Sequence, residues 1–214
     1  MSPASSASSV RGVLAGGSYG LEPNSTDTSE IEYITISSQG GASFFGDLQE
    51  GNKRIGAGGG DNIRMVIAGG YQESPEIISK KMEYITIATT GDASEFGDLH
   101  RRLGTHSPAG SSNSPTRCFF YGGTNPVTNV IDYITTQTKG NSEHFGDLTI
   151  KRRVGSHGTT SSTTRGLCGG AYDSPANINR IDYITMASTG NAIAVSYTHL
   201  RAHETRHDLV CRLL

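Results

Sequence analysis

Side chains able to do chemistry recur along this chain at nearly fixed spacing. Arg11, Arg64, Arg117 and Arg165 each open a short apolar run, and Glu32, Glu83, Asp132 and Asp182 each precede a Tyr-Ile-Thr string. Asp47, Asp98 and Asp147 follow a glycine in Phe-Gly-Asp-Leu, and the basic pairs Lys53-Arg54, Arg101-Arg102 and Arg152-Arg153 come next. An active site needs its acid, base or nucleophile once, so a residue repeated in every unit is expected to serve the scaffold. Set against each other across adjacent strands, the arginines and acids would form either a ring of charges lining a channel or one structural ion pair or hydrogen bond per unit. Repetition favours the structural contact. The aspartates are expected to cap turns. The basic pairs could hold a glycan or a phosphate, but are expected to be solvated strand ends.

The side chains that do not recur are few. Of His100, His106, His144 and His157, only His106 and His157 occupy matching places. Two histidines one unit apart could meet around a metal, yet no carboxylate or third ligand recurs with them, so no metal is expected. Cys118 and Cys168 read as small buried hydrophobes rather than a disulfide framework. The run Gly58-Gly59-Gly60 opens no helix and reads as a turn, not a phosphate loop. No nucleophile motif or dinucleotide fingerprint is present, and no cofactor is expected.

The elements that must position these residues follow from composition and period. Of the 214 residues, 34% are hydrophobic, 28 are Gly and none is Trp, which points to a turn-rich all-β chain. A net charge of −2 and the lack of a long apolar run argue against nucleic-acid and membrane partners. Tyr-Ile-Thr begins at Tyr33, Tyr84, Tyr133 and Tyr183, spaced by 51, 49 and 50 residues. Phe-Gly-Asp-Leu begins at Phe45, Phe96 and Phe145, and a glycine pair closes an apolar run at Gly16-Gly17, Gly69-Gly70, Gly122-Gly123 and Gly169-Gly170. Each unit reads as four strands. The first is small and polar, as in 153–157; the second is the apolar run, as in 64–70. The third alternates, with Ile31, Tyr33 and Thr35 on one face and Glu32, Ile34 and Ile36 on the other. The fourth ends at Phe-Gly-Asp-Leu. Gly40-Gly41, Gly91-Asp92, Gly140-Asn141 and Gly190-Asn191 are expected to turn the chain between third and fourth strands.

A four-stranded unit of this length, with a glycine doublet and a Tyr on the next strand, resembles the kelch repeat. The resemblance covers residues 1–193 and implies an open arc of about four β-propeller blades, incomplete at both ends. Phe45, Phe96 and Phe145 stand where kelch units usually carry Trp. The wording Tyr-Ile-Thr-Ile, Thr-Thr-Gly-Asp-Ala and Phe-Gly-Asp-Leu is similar to a variant in structural proteins of tailed phages. Residues 195–214 break the pattern and resemble a translated sequencing adapter, so 194–214 is expected to be a non-native tail. This removes both a helical spacing through Leu200, His203, His207, Val210 and Leu214 and a zinc-like set, His199, His203, His207 and Cys211.

Length varies between the glycine pair and the third strand, over 18–30, 71–82, 124–130 and 171–180. Loops that vary on one side of a repeat array commonly form its binding face. Tyr19, Asn24, Tyr71, Asn125, Tyr172 and Asn177 lie there and suit a protein or glycan surface. An idle rim with tolerated length changes is the competing reading. The expected function is a non-enzymatic scaffold for structural or adhesive binding, such as a phage virion or tail appendage, in a virion or extracellular setting. The alternatives are a fragment of a kelch-type carbohydrate oxidase or epimerase, and a cellular kelch adaptor.

Overall fold

The structure is a computed structural model that describes residues 4–19, 26–49, 55, 57–72, 77–101, 110–123, 126–154, 158–173 and 176–195. These residues are all β, with no helix among them. The first sheet contains β1 (Ala4–Ala7), β2 (Arg11–Tyr19), β3 (Thr26–Thr35) and β4 (Ser43–Asp47). The second contains β5 (Ala57–Gly60), β6 (Arg64–Gln72), β7 (Ile77–Thr86) and β8 (Ser94–Asp98). The third contains β9 (Gly110–Asn113), β10 (Arg117–Tyr121), β11 (Val130–Thr135) and β12 (Glu143–Asp147). In the fourth are β13 (Thr159–Ser161), β14 (Arg165–Gly169), β17 (Ile181–Thr185) and β18 (Ile193–Ala194), with a small ribbon of β15 (Tyr172–Asp173) and β16 (Ala176–Asn177). Each sheet is an antiparallel meander in chain order, and the first strands lie side by side, β1 by β5, β5 by β9, β9 by β13.

One sequence expectation fails at the first strand: Gly58-Gly59-Gly60 is strand β5 rather than a turn. The first strands run through the small residues before each Arg, Thr159–Ser161 in the fourth sheet, while 155–157 lie outside the described residues. Crowding explains the small residues. A Cβ at Gly59 would fall 2.8 Å from Cys118 Sγ of the neighbouring sheet, closer than real Cβ atoms come. The converging first strands are accordingly built from small residues, Ala, Ser and Gly in β1 and β5, joined by Asn113 in β9 and two threonines in β13.

Alternation on the third strand is as read from sequence. One face of each sheet meets the opposite face of the next, and the three cores lie in those gaps. Val13, Ala15, Ile31 and Phe45 pack on Ile67, Ile85 and Ile87. Val66, Met82 and Phe96 pack with Phe120 and Ile134. Phe119, Ile131 and Phe145 pack with Ile184 and Met186. Each such side chain, fully buried, contributes about 1.5–3 kcal/mol. The phenylalanines of Phe-Gly-Asp-Leu sit edge-on to the tyrosines of Tyr-Ile-Thr, with ring centroids 5.9 Å apart for Tyr33–Phe45 and 5.8 Å for Tyr133–Phe145.

The recurring arginines do not pair with the recurring acids. Arg11 lies opposite Thr35 and Leu14 opposite Glu32; likewise Arg117 opposes Thr135 while Phe120 opposes Asp132. Each guanidinium instead covers the tyrosine ring of its own sheet, at 4.5 Å for Arg11–Tyr33 and 4.9 Å for Arg117–Tyr133. In the first three sheets it then reaches the following sheet. Arg11 Nη1 donates to the carbonyls of Ile87 (3.0 Å) and Ala88 (2.9 Å), Arg64 Nη1 to Gln137 (2.9 Å) and Arg117 Nη1 to Met186 (3.1 Å).

The acids take partners from the preceding sheet. Gln49 N donates to Glu83 Oε2 (3.0 Å), Arg101 pairs with Asp132 (3.0 Å), and Arg152 with Asp182 (2.9 Å). The basic pairs are therefore not simply solvated strand ends: Arg152 and Asp182 are both fully buried. Lys53-Arg54 and Arg102 lie outside the described residues. Backbone N–H groups of Asp47, Asp98 and Asp147 receive caps rather than their carboxylates giving them: Asp92, Asn141 and Asn191 of the next sheet accept at 3.0, 2.9 and 3.0 Å.

The glycine doublet is displaced by one residue in the fourth sheet. Gly16, Gly69, Gly122 and Gly170 hold the left-handed φ of 60–65°, so the fourth doublet is Gly170-Ala171. Ala171 is left at φ 144°, where the other sheets have Gly17, Gly70 and Gly123. Ala171→Gly is expected to raise the stability of the fold by about 1 kcal/mol, read as an upward shift of the thermal midpoint.

Candidate functional site

Antiparallel meanders place the turns joining first to second and third to fourth strands at one end of every sheet. The loops joining second to third strands lie at the other end. At the first end a cavity of about 770 Å³ opens among the tips of the first strands. Ser5, Ser6, Asp61, Asn62, Asn113 and Gln137 line it, with Ser161 and Thr163 of the fourth sheet.

Local sequence builds this mouth. Ser8, Asp61, Ser114 and Ser162 occupy the same place in each turn, and each accepts the backbone N–H of its sheet's arginine, at 3.0, 2.8, 2.9 and 3.1 Å. Neighbouring first strands are stitched by short polar side chains. Ser111 Oγ donates to Gly58 O (2.6 Å), Gly60 N to Asn113 Oδ1 (3.0 Å), and Asn113 N to Ser161 Oγ (3.2 Å). Asp61 is held twice more, by Ile63 N on Oδ1 (2.8 Å) and by Gln137 Nε2 on Oδ2 (2.5 Å). The lining thus carries hydroxyls, amides and one carboxylate, with no Lys or Arg among the described residues. Such a surface suits neutral, hydroxyl-bearing ligands better than phosphates.

The buried Cys118 and Cys168 thiols and the buried Tyr121 phenol are held protonated at neutral pH. Burial raises the Cys118 thiol far above its usual range and pushes Cys168 up to about 11. Burial likewise raises Tyr121, whose hydroxyl shares a 2.6 Å hydrogen bond with Ser112. A second cavity, of about 400 Å³, lies beside the turn of the third sheet. There the Tyr133 hydroxyl donates to Glu143 (2.7 Å), and that bond raises its pKa. Among the described residues, no three His, Cys, Asp or Glu side chains gather to hold a metal, and no helix is long and apolar enough to cross a membrane. His106, His157 and the His199, His203, His207 and Cys211 set lie outside the described residues.

Of the loop residues singled out from sequence, Tyr71 is half-buried on β6 and Asn177 is exposed on β16, opposite Tyr172 in register. Tyr19 and Tyr172 lie on strands, but their side chains are outside the description, as are Asn24 and Asn125 entirely. The strand ends that carry Tyr19, Tyr71, Tyr172 and Asn177 lie opposite the 770 Å³ cavity. Sequence reasoning missed that cavity because four segments, each about one unit apart, contribute a few small residues. The available signal was the Ser, Asn, Asp and Thr clustered just before each arginine. No protein-family model and no curated protein matches this chain.

Proposed function

We propose that the four sheets are successive blades of a kelch-like β-propeller arc, and that the arc is a non-enzymatic scaffold for adhesive or structural binding. The ligand is a neutral glycan chain held at the polar mouth of the first strands, on a virion or tail appendage of the phage type. The observation that carries the reading is a contrast between joints and mouth. Arginine clamps, tyrosine–phenylalanine pairs and turn caps repeat from sheet to sheet. The mouth varies instead: Ala7, Gly60, Asn113 and Ser161 hold one equivalent position, while the next keeps its cap with Asp61 standing among Ser8, Ser114 and Ser162. Side-by-side first strands support the propeller arrangement, and the polar, cation-free lining supports a sugar.

Asn62 is exposed on the rim, so Asn62→Trp fills the mouth without disturbing a core. On an array of neutral oligosaccharides the chain is expected to bind weakly, with Kd on the order of 0.1–1 mM, and the variant at least tenfold more weakly. Binding that ignores the substitution, or turnover of the sugar, defeats the proposal. Tail or capsid genes beside the gene support the virion setting; metabolic neighbours oppose it.

A further inference from the structure

Three of the four sheets have one face covered by the sheet before them. Ile67, Ile85 and Ile87 of the second sheet, and Ile184 and Met186 of the fourth, are at most 3% exposed in those joints. In the first sheet the same face carries Leu14, Ile34 and Ile36, at 42, 43 and 53%. Glu32 is also exposed on this face, where Asp132 and Asp182 are fully buried. This is a contiguous apolar patch of the kind that marks an interface.

The fourth sheet has the complementary deficit. Its other face presents Leu167 and Ile181, both half-buried, where the third sheet has fully buried Phe119 and Ile131. Arg165 covers Tyr183 at 5.1 Å, as its counterparts cover their tyrosines. Those counterparts donate to carbonyls of the following sheet, at 87–88, 136–137 and 186, but Arg165 is exposed and has no such acceptor among the described residues. The carbonyls at the matching place in the first sheet are those of Ile36 and Ser37.

We infer that the chain associates head to tail with a second copy of itself. The fourth sheet of one copy packs on the exposed face of the other's first sheet, with Arg165 donating to the carbonyls of Ile36 and Ser37 in the second copy. The unfilled donor and the unfilled acceptors lie at opposite ends of one chain, so a copy supplies what its neighbour lacks. The interface is heterologous and can continue into a closed ring or a longer array. It rests on the joint between sheets and not on the glycan reading.

Sedimentation equilibrium of the full chain tests this, with variants whose substituted side chains are exposed. Ile36→Glu with Ile34→Glu blocks the head; Arg165→Glu blocks the tail; Leu14→Lys is a second head variant should the first not fold. Folding is checked by the thermal transition. The unaltered chain is expected to associate at roughly 10–100 μM, as a modest interface does. Each blocked variant alone stays monomeric. An equal mixture of head-blocked and tail-blocked chains, which retains one intact end of each kind, forms a dimer and nothing larger. A monomeric unaltered chain at these concentrations overturns the inference. So does association that survives either block, or a mixture that stays monomeric.

Discussion

Gly146→Ala is expected to lower the unfolding free energy by about 3 kcal/mol or more, the range of a substitution that breaks a packed joint. Gly146 is the glycine of the third Phe-Gly-Asp-Leu string, and a Cβ built on it falls 2.2 Å from Gly190 O and 2.5 Å from Gly190 C of the fourth sheet. Those atoms are backbone and cannot swing aside. Three hydrogen bonds anchor that turn to β12: Gly190 N to Phe145 O (2.9 Å), Ala192 N to Asp147 O (2.8 Å) and Asp147 N to Asn191 Oδ1 (3.0 Å). Each contributes about 1 kcal/mol, and pushing the turn away weakens all three at once. The displaced sheet also uncovers Ile184 and Met186, buried against the third sheet. Gly41→Ala is the control: a Cβ there meets nothing within 4 Å, so its effect stays within about 0.5 kcal/mol. Urea unfolding followed by circular dichroism separates the two. A Gly146→Ala variant as stable as the control contradicts this account of the joint.

That glycine illustrates what could be read without coordinates. The period, the strand count and the inward faces were legible because Tyr-Ile-Thr and Phe-Gly-Asp-Leu carry side chains that alternate. The partner of Gly146 was not, because the close approach comes from a turn 44 residues away in the next sheet. Register was the next failure. Arg11 and Glu32 both flank apolar strands, but the loop between those strands varies in length and fixes no pairing, and a bulge between Ala15 and Gly17 shifts the ladder. The fold sets Arg11 opposite Thr35. β5 was invisible for a simpler reason: a run of glycines has no side-chain alternation to display. The mouth escaped because its residues are adjacent only once the first strands converge.

Arg152→Met is expected to destabilise the fold by about 3–5 kcal/mol, the cost of leaving a buried charge without its partner. Arg152 ends the link between third and fourth sheets: Nη2 donates to Asp182 Oδ2 (2.9 Å) and to Cys168 O (3.2 Å), with both charged side chains 0% exposed. Met fills much of the volume but neutralises nothing, and Asp182 keeps only Thr149, whose N donates at 3.0 Å and Oγ1 at 2.8 Å. Adding Asp182→Asn to that variant is expected to restore about 2 kcal/mol, because the charge disappears while the amide oxygen still accepts from Thr149 N. Arg101→Met, at the matching joint, is expected to cost less. The Arg101 side chain is 24% exposed beside a fully buried Asp132, and water can enter where the guanidinium leaves. Guanidinium unfolding of the four proteins measures the ordering: Arg152→Met lowest, the double variant and Arg101→Met between it and the unaltered chain. Equal losses for Arg152→Met and Arg101→Met would mean that burial of the pair does not govern its energy.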